Sequence, residues 1–194
     1  NMAPFPLGIM ALAGAGGGAG AYDLLEATTL TSSASSITFS SLSTYASKYQ
    51  HIQIRAVTRD TRGISGSNNV TMRFNGDTNA NYYQLHYLKG ADGSASSGSE
   101  GTNNYILPYT EPSASDTSDA FAVAVIDLLD AFSSNKYTTS RSFRGLNLDA
   151  AYSTQVGLSS GLWMNTASLT EISLAPVIGS FAAYSRVAIY GVKG

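Results

Sequence analysis

Acid/base, metal and nucleophilic chemistry draw on few residue types, and this chain is sparing with all of them. It has two His, thirteen Asp and Glu, and no Cys in 194 residues. Without Cys there are no disulfides, thiolate metal sites or Cys nucleophiles. His51 and His86 have no carboxylate at a spacing that builds a triad or a metal site, so both read as structural or surface residues. Asp127 and Asp130 would share a face only on a helix, but they sit in and after a β-branched, strand-like run, so both are expected at a sheet edge or turn. Asp92, Glu100, Glu111, Asp116 and Asp119 could chelate calcium, yet they lack the Asp-x-Asp-x-Asp-Gly spacing of a calcium loop. Gly14-x-Gly16-x-x-Ala19 matches the dinucleotide fingerprint loosely, without the helix, parallel strand and later acid that the motif needs. No catalytic residue, metal or cofactor is expected, and the chain reads as non-enzymatic.

The aromatic residues suggest binding rather than catalysis. Tyr82, Tyr105 and Tyr109 lie around a Gly/Ser-rich stretch and are the candidate contacts for a sugar, since tyrosine rings stack on pyranose faces. Alternation turns Tyr83 and Tyr87 to one side of a strand and Tyr82 to the other, and cross-strand packing is the competing use for all of them. Trp163, the single Trp, reads as a core anchor.

What must position these residues is a β scaffold. Charged residues make up only 12% of the chain, while 28 Ser and 17 Thr supply most of the polarity. Eleven Lys and Arg against thirteen acids leave no positive excess for a phosphate backbone, so no nucleic acid partner is expected. In 51–56, Ile52, Ile54 and Ala56 alternate with Gln53 and Arg55. Val70, Met72 and Phe74 do the same, and Asn75-Gly76-Asp77 marks a turn. About ten short strands follow from such patterns, with 90–102 expected as a long loop. The predicted architecture is an all-β antiparallel sandwich of jelly-roll type over 37–194, with another Greek-key sandwich as the alternative.

Residues 1–36 differ from this domain. No Lys or Arg precedes Lys48, and an apolar run carrying Phe5, Leu7, Ile9, Met10 and Leu12 dissolves into glycines. Pro4, Pro6 and those glycines oppose a helix, so the segment reads as an extended tether whose five large apolar residues form an assembly arm. A signal peptide lacks its basic start here, a membrane span would not contain the glycine cluster, and membrane insertion is a minor alternative. Charge is segregated along the chain: 37–90 is basic and 91–135 holds seven acids and no base. Such segments can pair across strands or across subunits.

Several stretches together resemble a family of small virion proteins of tailed phages, especially marine and cyanobacterial ones. They include Ile37-Thr-Phe-Ser-Ser-Leu42, Tyr49-Gln-His-Ile-Gln-Ile-Arg55, Met72-Arg-Phe-Asn-Gly-Asp77 with Asn81-Tyr82, Gly161-Leu-Trp163, and Ser185-Arg186 with Tyr190-Gly191. The resemblance implies a capsid-decoration, fibre or tail subunit located in the virion, usually trimeric, with itself and other capsid or tail proteins as partners. A host-glycan receptor module at a fibre or tail tip is the alternative. Tyr184 departs from the small residue expected before Ser185.

Overall fold

Alternating apolar and polar residues become strands in most of the twelve places where strands form, and no α-helix forms among the described residues. The computed structural model describes residues 21–79, 83–91, 94–148 and 155–194. Strands β1 (Tyr22–Thr29), β2 (Ile37–Phe39), β3 (His51–Thr58), β4 (Asn68–Phe74), β5 (Tyr83–Ala91) and β6 (Ser94–Asn103) make up the first half. The second half contributes β7 (Ile106–Glu111), β8 (Ala122–Leu129), β9 (Thr138–Leu146), β10 (Gln155–Trp163), β11 (Ile172–Pro176) and β12 (Arg186–Val192).

They form two antiparallel sheets, an eight-stranded one ordered β1-β12-β3-β8-β9-β10-β5-β6 and a four-stranded one ordered β2-β11-β4-β7. Within this lies the rolled ladder of a jelly roll: β1 pairs with β12, β2 with β11, β3 with β8 and β4 with β7. The remaining two pairs are insertions. β5–β6 falls between β4 and β7 in the chain and β9–β10 falls between β8 and β11, and together they extend the long sheet past β8. The jelly-roll expectation therefore holds, with one sheet doubled in width.

The core lies where the sheets overlap. Ile52, Ile54, Ile126, Leu128, Val187 and Ile189 of the long sheet meet Phe39, Val70, Met72, Phe74, Ile172 and Leu174 of the short one, all buried. At one end Trp163 packs on Phe74, with ring centroids 5.5 Å apart, and its Nε1 donates to Asp77 Oδ2 at 2.8 Å. That satisfies the indole N–H in the core position expected for it. Asn75 and Gly76 adopt φ of 52° and 64°, and the Asp77 N–H donates to the Phe74 carbonyl at 2.9 Å, which closes the predicted turn.

Two boundaries differ from expectation. The domain begins at Tyr22 rather than Ile37, because Tyr22–Thr29 pairs along its length with β12 as the edge strand of the long sheet. Its charged Asp23 and Glu26 sit at an edge that tolerates them, so composition alone made it look like part of the tether. The stretch expected as a long loop instead contains β6, which pairs with β5. Ser and Gly leave β6 without an apolar rhythm, and its order comes from the backbone of its neighbour. Gly98 is needed there, since a Cβ would lie 2.6 Å from the Tyr87 hydroxyl.

Candidate functional site

The five residues of the assembly arm, Phe5, Leu7, Ile9, Met10 and Leu12, and the candidate sugar contact Tyr82 lie outside the described residues. Tyr105 is partly buried against the core, and the Arg73 guanidinium sits over its ring, 5.5 Å from the centroid. Tyr109 is a correction: it is fully buried, with its hydroxyl accepting from Thr58 Oγ1 at 3.2 Å, and presents no face to a sugar. Every residue of β7 is buried because the widened long sheet overhangs it, so the usual outward-facing half of a strand is missing here.

The other candidates fall into structural roles. His51 Nδ1 accepts the Asp130 N–H at 2.8 Å, and Asp130 pairs with Lys136. Asp127 accepts from Gln53 at 2.9 Å and from Arg141 at 3.0 Å. Two acids of the acidic middle, Asp127 and Asp130, thus find basic partners across the β8–β9 hairpin rather than in the basic 37–90 segment, in pairs worth about 1 kcal/mol at most. Among the described residues no group of three acids or histidines is placed to hold a metal. Tyr184 takes φ of 69°, a left-handed conformation that favours glycine.

The acids of 111–119 anchor one end of the sandwich. Arg59 is buried and donates to four backbone carbonyls of 114–120: Thr117 at 2.7 Å, Ala120 at 2.9 Å, Ala114 at 3.1 Å and Asp116 at 3.2 Å. Asp116 accepts from the Gly66 and Ser113 N–H groups at 2.9 and 2.8 Å. Beneath them Glu111 is fully buried with neither carboxylate oxygen partnered, beside Asp60, Arg62 and Thr58. Burial pushes the Glu111 carboxyl up to about 8, and Asp60 is raised for the same reason. Sealed from solvent, this pair offers no surface to a substrate.

What the fold does expose is the outer face of the long sheet. Val125, Phe143, Leu158 and Leu88 stand opposite one another across β8, β9, β10 and β5 and form an exposed apolar ridge. No protein family and no curated protein matches this sequence. Two residues along the same strands runs a second row, Val123, Gly145, Val156 and Gly90, in which the two glycines leave gaps beside exposed valines and make an interrupted trough next to the ridge. Hydrophobic periodicity in β9 has the expected step of two but the opposite phase: Phe143 faces water, at 57% exposure, while Thr138, Ser140, Ser142 and Arg144 face inward. Pro108 explains part of this, since its carbonyl accepts from the Ser142 hydroxyl at 2.5 Å across the sheets.

Proposed function

We propose that this protein is a structural component of a tailed-phage particle, a surface-decoration, fibre or tail subunit that associates with copies of itself and with other capsid or tail proteins. The phage assignment draws on the resemblance in 37–191, and the jelly roll suits such a subunit. The single observation that supports a self-assembling role is the ridge and trough on the long sheet.

Gly145 and Gly90 are the informative residues. A Cβ at Gly157 or Gly161 would lie 2.6 Å from neighbouring side chains, so packing within the chain demands glycine there. At Gly145 and Gly90 the nearest atoms to a Cβ are 3.6 and 3.8 Å away and the strand registers run on unbroken, so among the described residues no packing contact demands glycine there. Glycine in a strand interior costs roughly 0.5–1 kcal/mol against Ala, and it suits a place where another molecule approaches closely.

A second copy fits this surface. Ridge and trough are parallel and about 7 Å apart. A two-fold axis parallel to the rows and between them lays the Phe143 of one copy over the Gly145 of the other and Leu88 over Gly90, while Val125 meets Val123 and Leu158 meets Val156 as apolar contacts of an isologous interface. With Val57, the exposed apolar side chains present on the order of 500 Å², a fair apolar centre for a standard interface of about 800 Å² per partner. A trimer, as the resemblance implies, uses a further head-to-tail contact, and the two-fold then joins trimers.

The absence of Cys makes the test clean. Chains carrying Phe143→Cys mixed with chains carrying Gly145→Cys are expected to crosslink to each other under mild oxidation, more than either does alone. Gly145→Val is expected to leave the fold intact while weakening self-association by about tenfold in sedimentation; unchanged association sinks this contact. For the arm, deleting residues 1–21 is expected to give a folded domain that no longer enters particles, and retained incorporation removes its attachment role.

A further inference from the structure

We propose that the cleft beneath the overhanging half of the long sheet binds a small hydroxylated acid, with Arg144 as the anion-binding residue. This reading stands on the cleft alone and does not rest on the particle role. On the inner face, Arg144 of β9 and Lys89 of β5 flank Gly157 of β10 in one row. Because Gly157 has no side chain, the Arg144 guanidinium lies across it, and a Cβ there would sit 2.6 Å from Arg144 Nε. Two cations are thereby brought to one cleft, and among the described residues neither is in a salt bridge.

Such an arrangement is costly without an anion. Arg144 is 6% exposed and its Nε has no hydrogen-bond partner. A buried guanidinium normally has a carboxylate or several carbonyls to offset lost hydration. The contrast with Arg59, equally buried but bonded to four carbonyls, shows what this chain does when an arginine is structural. Burial also draws the Arg144 pKa downward, the expected direction for an uncompensated cation.

The neutral groups around it define the rest of the ligand. Thr110 Oγ1 and Gln155 Oε1 are buried, unpartnered and line the same cleft of about 190 Å³, together with Asn69 and Tyr87. Gln155 is held in place by its Nε2 donating to Ser67 Oγ at 3.2 Å, which leaves Oε1 as an acceptor for a hydroxyl. One oxyanion for Arg144 and Lys89 with hydroxyls for Gln155 and Thr110 is the pattern of a uronic-type acidic sugar, free or terminal on a polysaccharide. At about 190 Å³ it is a site for one sugar ring rather than an extended chain.

Calorimetric titration of the full chain at low salt tests this with sodium glucuronate, an oligoglucuronate, neutral glucose and inorganic sulfate as probes. Saturable glucuronate binding is expected, with glucose and sulfate at least about tenfold weaker. The oligomer arm decides the source: comparable affinity places the acid on a glycan, and loss of binding makes it a free small molecule. Arg144→Met is expected to weaken binding about tenfold or more and Lys89→Gln severalfold, with melting curves confirming that both fold. Arg141→Gln, on the opposite face of the same strand, is expected to leave binding unchanged. No saturable binding, sulfate binding as tight as glucuronate, or an Arg144→Met variant that binds normally overturns the proposal.

Discussion

Raising the pH from about 5 to about 8 is expected to destabilise the native domain, and Glu111→Gln is expected to remove most of that loss. Glu111 titrates near 8 in the folded chain because burial disfavours its carboxylate, while in the unfolded chain it titrates near the ordinary value of about 4.3. Below that ordinary value both states hold the proton and no stability is lost. Between the two values the unfolded chain releases a proton that the folded chain keeps, so unfolding gains on the order of 1.4 kcal/mol per pH unit. Above the folded value both are ionised and the loss levels off. Asp60 is raised too and adds in the same direction, with the Arg62 charge pulling against it at Glu111. Asp23 and Asp130 are lowered, by hydrogen bonds from Tyr49 and from Lys136 respectively, and act with opposite sign only in the acid range. Denaturant midpoints measured across pH for the native chain and Glu111→Gln check this; parallel curves refute it.

Arg59→Ala is expected to cost about 3–5 kcal/mol, the scale of breaking a buried charged hydrogen-bond network. The substitution removes the donors to Ala114, Asp116, Thr117 and Ala120 together. Arg59→Lys keeps the charge but not the planar fork, so it is expected to recover less than half of the loss. Thermal denaturation gives the magnitude, and hydrogen exchange gives the place. Amides of 112–121 are expected to lose protection first, while those of β3 and β8 keep theirs; uniform loss would mean that Arg59 supports the core instead.

Where one face of a strand met the core, the residues announced it: β3 and β4 are legible from Ile52-Ile54-Ala56 and Val70-Met72-Phe74. Legibility failed where neighbours rather than side chains decided. β6 is a strand because β5 offers a free edge, and nothing in its Ser and Gly residues reports that. Tyr109 is buried because it faces the core toward Thr58 of β3, while the other side of β7 is covered by two insertions made elsewhere in the chain, so neither side is left to solvent. Arg144 shares the inner side of β9 with Thr138, Ser140 and Ser142 while Phe143 stands on the outer side, a reversal of phase that period alone cannot reveal. The signals that were available are the glycines, Gly157 for a crowding arginine and Gly145 for an open trough, but they gain meaning only once their cross-strand neighbours are known.

β1 and β12 lie side by side with Tyr22 opposite Val192. Whatever precedes residue 22 and whatever follows residue 192 therefore leave the domain from one corner. Mechanically, a pull between those two points peels the β1–β12 ladder open one hydrogen bond at a time, the weak way to load a pair of strands. A pull between the residue 22 side and the loops at the far end loads the same ladder in shear, with all its bonds resisting together. A tether at residue 22 under load applied to the far loops places the domain in its strong orientation.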